Sequence, residues 1–135
     1  MRKIFLISMV TLFIFCSTGY AELVDNGDGT MTDTKTGLMW QKAESGNKNW
    51  KEAISYCETL GIAGHSDWRL PNIDELKAIA DYRTKFHDAM ASMYWSSTTY
   101  DYDSDYAWIL VFMDSCVYRT DKQRGRNVKA VRGRQ

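Results

Sequence analysis

The stretch Asn49-Trp-Lys-Glu-Ala-Ile-Ser-Tyr-Cys-Glu-Thr-Leu-Gly61 carries the clearest structural signal in this chain of 135 residues. Its apolar residues recur at the spacing of one helix face, and a glycine such as Gly61 is typical of a helix end. Asn49 suits the N-cap position, and Glu52 stands three residues later, where it completes a capping box. The stretch therefore predicts an amphipathic helix over residues 49–60.

The same signature recurs after the stretch Ser66-Asp-Trp-Arg-Leu-Pro-Asn72. Leu70 is expected to be extended, because the proline that follows it disfavours helical angles. Asn72 and Glu75 repeat the pairing of a capping box. A second helix is therefore predicted from Asn72 to about Tyr82.

Strand and turn signals surround the two helices. Before them, Asn-Gly and Asp-Gly pairs within residues 25–29 predict tight turns between short strands that extend to residue 41. After them, strands are predicted over residues 93–98, 106–113, 116–119 and 127–132. This order of elements is typical of an α+β domain with an antiparallel sheet.

The first 21 residues have the composition of a signal peptide. Arg2 and Lys3 precede an apolar run from Ile4 to Phe15, and small residues before and at Ala21 suit cleavage there. A run of about 12 residues is too short to span a bilayer, which takes roughly 20. We expect removal of residues 1–21 and a single domain over residues 22–135 without a membrane span. The expected location is the periplasm or the cell exterior.

Charge is distributed unevenly along the chain. There are 16 acidic and 8 basic residues from Glu22 to Tyr118, whereas the residues after Tyr118 include seven basic ones and one acid. Arginine and lysine bind sulfate, carboxylate and phosphate groups, and export favours an anionic glycan over nucleic acid as the partner. The alternative is that these cations neutralise the chain's own carboxylates. The candidate anion-binding residues are Arg119, Lys122, Arg124 and Arg126.

Patterns for metal binding are incomplete. In the segment that begins at Asp25, the alternate positions are Gly27 and Gly29, which offer no side-chain oxygen to a calcium ion. A later acidic loop has alternating carboxylates but lacks the turn glycine and the final acid of a calcium site. The sequence therefore predicts no cofactor, with calcium at that loop as the alternative. The candidate ligands are Asp101, Asp103 and Asp105.

Patterns for catalysis are also missing from the sequence. His65 and His87 do not have a zinc-binding spacing. The sequence contains neither a nucleophile elbow nor a phosphate-binding loop. Cys57 falls on the apolar face of the first helix, which favours a buried and unreactive thiol. We predict that the protein is not an enzyme.

The five tryptophans are candidates for the core, because each can bury about 200 Å2 of surface. Core positions are predicted for Trp40, Trp50, Trp68 and Trp108. Trp95, which precedes a Ser-Ser-Thr run, is not assigned. Stacking of these rings on sugars is the alternative interpretation.

Six sequence blocks, in this order, resemble the family of the Lcl C-terminal domain, named for the Legionella collagen-like adhesin. The blocks are Asp25-Asn-Gly-Asp-Gly-Thr30, Thr36-Gly-Leu-Met-Trp40, the helix from Trp50 to Cys57, Ser66-Asp-Trp-Arg-Leu-Pro-Asn72, Tyr94-Trp-Ser-Ser-Thr98 and Val128-Lys-Ala-Val-Arg-Gly133. The resemblance implies a C-type-lectin-like fold, with two helices packed on a twisted, mostly antiparallel sheet. It also implies an adhesin-like module that binds sulfated or other anionic polysaccharide. The alternative is a structural subunit that binds another envelope protein.

The two cysteines of the expected mature chain are Cys57 and Cys116. Export would place them in an oxidising compartment, where a pair tends to form a bridge, although two buried thiols remain an alternative. The family commonly carries a cysteine where this chain has Ala130. The resemblance therefore implies that Cys116 substitutes for that cysteine, and a disulfide between Cys57 and Cys116 is predicted.

Overall fold

Nine strands and two α-helices form the described part of this computed structural model, residues 22–86, 88 and 91–133. The predicted signal peptide and His87 lie outside the described residues. The predicted α+β class and both predicted helices are confirmed. In chain order the elements are β1 (Leu23–Asp25), β2 (Thr30–Asp33), β3 (Met39–Gln41), β4 (Ser45–Lys48), α1 (Trp50–Thr59), α2 (Ile73–Ile79), β5 (Met93–Thr99), β6 (Tyr106–Val111), β7 (Cys116–Asp121), β8 (Arg126–Val128) and β9 (Val131–Arg132).

The strands form two sheets where one was expected. One sheet has the order β1-β2-β3-β9 and the other the order β4-β8-β5-β6-β7. The pairing of β5 with β8 is parallel and the other pairings of the named strands are antiparallel, so the mostly antiparallel arrangement is confirmed. The predicted last strand, residues 127–132, is divided by Lys129 and Ala130 into β8 and β9. This short connection joins the two sheets.

Both helices begin with the predicted capping boxes. The Asn49 side chain accepts a hydrogen bond from the Glu52 backbone N–H at 2.9 Å, and the Glu52 carboxylate accepts from the Asn49 N–H at 3.0 Å. Asn72 and Glu75 make the same pair of bonds at 2.8 and 2.9 Å. The second α-helix ends earlier than predicted, at Ile79, and a 3₁₀ turn continues to Lys85.

Two apolar clusters lie on opposite faces of the five-stranded sheet. Successive residues of a strand point to opposite faces, so Tyr94 belongs to one cluster and Trp95 to the other. The Tyr94 cluster includes residues of α2 and of the four-stranded sheet, such as Leu76 and Trp40. The Trp95 cluster includes Ala53 of α1. The five-stranded sheet therefore lies between α1 and a layer made of α2 and the other sheet.

Burial of the tryptophans differs in part from the prediction. Trp40, Trp68 and Trp95 are buried, the first and the last of them completely. Trp50 and Trp108 were predicted to be core residues, but both side chains are partly exposed. Trp50 is the first residue of α1 and packs against the cluster that contains Trp95 without being enclosed by it.

The predicted disulfide is wrong, because both thiols are free in the structure. Cys57 is completely buried beneath α1, in the cluster that contains Trp95. Cys116 is exposed at the first residue of β7, the edge strand of the five-stranded sheet. Because one thiol is enclosed by the core and the other faces solvent, the two do not pair.

Candidate functional site

An open groove of about 960 Å3 lies beside the first turn of α1. Its walls come from β4, from α1 and from the turn between β7 and β8. We call it the α1 groove. The residues that line it are Asn47, Lys48, Asn49, Trp50, Lys51, Glu52, Ser55, Tyr56, Thr59, Lys122 and Gln123.

Hydrogen bonds at Trp50 hold the walls of the groove together. The Trp50 backbone N–H, which has no partner within its own helix, donates to the carbonyl of Lys122 at 3.0 Å. The indole Nε1–H of the same residue donates to the carbonyl of Ser96 at 2.9 Å. The start of α1 is thereby fixed to the β7–β8 turn and to β5.

Two aromatic rings in the groove each have a lysine ammonium group over the ring. Lys122 Nζ lies 3.9 Å from the centroid of the Trp50 ring and donates to Thr99 Oγ1 at 2.9 Å. Lys48 Nζ lies 5.0 Å from the centroid of the Tyr56 ring. The Tyr56 hydroxyl is in turn fixed by Gln41 Nε2, which donates to it at 2.7 Å. The groove thus combines flat apolar surfaces with ammonium groups above them.

The charge of the α1 groove is positive. Three lysines line it, Lys48, Lys51 and Lys122, against one acid, Glu52. The Glu52 carboxylate already accepts the Asn49 N–H in the capping box. A concave surface with a positive excess and partly exposed rings suits an anionic ligand that also has apolar faces.

Residues 29–132 match the Lcl C-terminal domain family. The chain belongs to this family. The predicted resemblance is therefore confirmed, and it relates the chain to an adhesin-associated domain with an external ligand and an extracellular or envelope location. No curated protein matches the chain. No helix within residues 22–86, 88 and 91–133 has the length and apolar character needed to cross a membrane.

Two of the blocks that resemble the Lcl C-terminal domain hold parts of the fold together. Arg69, before α2, exchanges two backbone hydrogen bonds of 2.9 Å with Val131 of β9. Its guanidinium forms a two-pronged pair with Glu75, with both N–O distances 2.7 Å. Arg132 pairs in the same way with Asp67 at 2.7 and 3.2 Å. Asp67 and Arg69 therefore fix the loop before α2, and neither lines the groove.

The four predicted anion-binding residues do not share one surface. Lys122 lies in the α1 groove. Arg119 lies over the Tyr100 ring at 5.0 Å and lines a separate depression with Asp103. Arg124 is exposed in the β7–β8 turn. Arg126 is partly buried at the start of β8 and lines a different cavity from Lys122.

Sequence reasoning missed Lys48 and Lys51 as members of the site. Lys48 ends β4, a strand that was not predicted, and Lys51 lies in the predicted helix but was not proposed as a binding residue. The signal that relates them to Lys122 is spatial. The backbone bond between Trp50 and Lys122 brings positions more than 70 residues apart together.

The acidic loop keeps its candidate calcium ligands exposed. The Asp103 carboxylate accepts the Asp105 N–H at 3.0 Å, and the carbonyl of Asp105 accepts the Lys122 N–H at 2.8 Å. Asp101 is also exposed. In the part of the chain that the structure describes, no three acidic, histidine or cysteine side chains are grouped to hold a metal ion. These contacts give the loop a structural role in supporting the β7–β8 turn.

The buried cysteine is chemically protected. Burial, with a smaller contribution from the charge of Glu58, raises the pKa of the Cys57 thiol to about 12. The thiol is therefore protonated at neutral pH, and the thiolate that acts as a nucleophile is not formed. His65 packs edge-on against Trp68, with 6.5 Å between the ring centroids.

Proposed function

We propose that this member of the Lcl C-terminal domain family is an exported, non-catalytic module that binds anionic polysaccharide in the α1 groove. The observation that carries the proposal is the placement of Lys122 and Lys48 over the rings of Trp50 and Tyr56. Sulfate or carboxylate groups of a sugar chain pair with such ammonium groups. The parts of the Trp50 and Tyr56 side chains that remain exposed offer apolar contact to its sugar rings. Family membership and the α+β fold with two helices and mostly antiparallel sheets support a C-type-lectin-like module at the cell surface.

Heparin is a suitable probe, because it carries both sulfate and carboxylate groups. We expect the purified domain to bind heparin in isothermal titration calorimetry, with an affinity that falls as salt is added, because salt screens exposed charges. The triple variant Lys48→Gln, Lys51→Gln, Lys122→Gln should bind at least about tenfold more weakly, since one charge-assisted contact alone contributes about that much.

A matched control removes the same charge elsewhere. Lys35, Lys77 and Lys85 are exposed and line none of the walls of the α1 groove. The triple variant Lys35→Gln, Lys77→Gln, Lys85→Gln should keep its affinity within about twofold, the scale of screened surface charges. Equal weakening of both variants would show that net charge, and not the groove, attracts heparin. Repeating the titration with calcium and with EDTA tests a role for the acidic loop.

A second candidate function is an interaction subunit that binds another envelope protein. It is favoured by a smaller depression on the five-stranded sheet, where Met93 and Tyr118 are exposed beside Val111. Exposed large apolar side chains that share one depression are typical of protein contact sites. Light scattering should then show a stable oligomer that Met93→Asp converts to a monomer, whereas a monomer at all concentrations argues against this function.

A further inference from the structure

A second cavity adjoins the α1 groove. It has a volume of about 380 Å3 and lies between the end of β4, the start of β8 and the residues just before β5. Asn47 lines both this cavity and the α1 groove. The remaining polar groups in its wall include Ser92, Arg126, Asn127 and Glu44. The Glu44 carboxylate already accepts hydrogen bonds from the hydroxyls of Ser92 and Tyr94 at 2.9 and 2.8 Å, whereas Arg126 makes no ion pair among the described residues. One extended ligand can therefore follow the surface from the groove, past Asn47, into the second cavity.

The Arg126 guanidinium has few hydrogen-bond acceptors among the described residues. Its Nη1 donates to the carbonyl of the neighbouring Gly125 at 2.7 Å, and its Nε is buried without an acceptor among the described residues. Within the described residues, no ion pair joins Arg126 to an acid. Burial, and to a smaller extent the charge of Arg124, lowers the pKa of the Arg126 guanidinium.

The strand register places the backbone of a second cationic residue beside Arg126. Lys48 of β4 is the direct cross-strand partner of Arg126 in β8. The described ion pairs include no acid for Lys48 either. Two cationic residues without a described acid partner therefore lie on neighbouring strands, Lys48 facing the α1 groove and Arg126 facing the second cavity.

We propose that the cavity at Arg126 is a second subsite, which binds an anionic group further along the same polysaccharide chain that occupies the α1 groove. This inference rests on the proposed function. Lys48 stands between the two subsites, with its ammonium over Tyr56 in the groove and its backbone opposite Arg126. The ligand class is accordingly a chain with acidic groups on successive sugars, rather than a single acidic sugar.

Chain length is the variable that tests the second subsite. Isothermal titration calorimetry with heparin disaccharide and heparin hexasaccharide should show that the wild type binds the longer chain at least about tenfold more tightly, the effect of one further charge-assisted contact. In the Arg126→Gln variant that gain should be lost. The Arg124→Gln variant removes an equal charge from an exposed side chain nearby and should keep the gain.

A measurement on the wild type makes the test independent of how well the variant folds. The Arg126 Nε–H resonance, assigned by its absence from the spectrum of Arg126→Gln or by sequential assignment, should shift on addition of hexasaccharide. Tight binding of both lengths with no gain, or a gain that Arg126→Gln retains, would overturn the second subsite and leave the proposed function standing. Failure of the wild type to bind either length would overturn both.

Discussion

At the scale of single residues, the buried Lys129 links the two sheets, because it lies between β8 and β9. Its side chain is fully buried and its Nζ lies 2.8 Å from the Asp88 carboxylate. The same ammonium donates to the carbonyls of Gln41 and Lys42 at 3.2 and 2.7 Å, and it lies 4.3 Å from the centroid of the Phe86 ring. Burial lowers the pKa of Lys129, although the charge of Asp88 opposes that shift.

Replacing Lys129 with methionine should be strongly destabilising. The substitution leaves the Asp88 carboxylate, of which only 5 % is exposed, without its ammonium partner. Breaking a buried pair in this way costs about 3–5 kcal/mol. The free energy of unfolding in urea measures the loss. Combining Lys129→Met with Asp88→Asn should recover part of it, and a single variant as stable as the wild type would contradict this account.

The tryptophans show how far the burial of single residues could be predicted from the sequence. Composition alone suggests that large aromatic rings are buried, and this is correct for Trp40 and Trp68. It could not separate Trp50 from Trp95, because burial depends on which element covers the ring. Trp95 is covered by the cluster under α1 and donates its Nε1–H to the carbonyl of Lys48 at 2.8 Å. Trp50 is the first residue of that helix, and the cluster does not enclose its ring.

At the scale of elements, the N-cap of α1 stabilises both the helix and the wall of the groove. Asn49→Ala removes the acceptor for the Glu52 N–H and should lower the free energy of unfolding by about 1 kcal/mol. Urea denaturation provides the measurement. Ser55→Ala, at an exposed position in the same helix, is the control and should change stability by less than about 0.5 kcal/mol. Equal stability of the two variants would show that the cap contributes nothing.

Elements with a local cause were predicted, and those with a distant cause were not. The capping boxes depend on residues three apart, so the sequence placed both helix starts correctly. Strand β4, with the sequence Ser-Gly-Asn-Lys, lacks the branched and aromatic residues that signal a strand. It forms because β8 pairs with it, more than 70 residues later in the chain. The lysine that it contributes to the α1 groove was missed for the same reason.

At the scale of the whole molecule, the family blocks only partly overlap the candidate site: the helix from Trp50 to Cys57 forms one wall of the α1 groove, and the blocks around Arg69 and Arg132 lie elsewhere. The pairs Arg69–Glu75 and Arg132–Asp67 fix α2 and its preceding loop to the last strand. The α1 groove instead depends on Lys48, Lys51 and Lys122. Recognition of the family therefore predicted the architecture well but could not locate a ligand, since the residues that define the family mostly hold the fold together.

The Asp67–Arg132 pair predicts a dependence of stability on pH. The hydrogen bond from Arg132 is the main cause that lowers the pKa of Asp67 below its ordinary value of 3.8. A carboxyl whose pKa is lower in the folded state stabilises that state above its ordinary pKa, and the contribution is lost as pH falls through the lowered value. The melting temperature of Asp67→Asn should therefore fall less than that of the wild type on acidification from neutral pH.

A comparison variant isolates the ion pair from general acid effects. Asp101→Asn, in the exposed acidic loop, also removes one carboxyl and should follow the wild-type acid profile. Identical profiles for Asp67→Asn and the wild type would show that the pair between the loop and β9 does not contribute to stability in this pH range.

The contrast between the two described thiols has a practical consequence for labelling. Cys57 is enclosed and protonated, whereas Cys116 reaches solvent, so a maleimide dye or a biotin tag should attach at one defined position. Cys116 and Lys122 stand at opposite ends of β7, which places the tag roughly 20 Å from the groove at the usual rise per residue. A domain attached to a sensor chip through Cys116 would therefore hold the lysines of the α1 groove away from the chip surface, where glycan in solution can reach them.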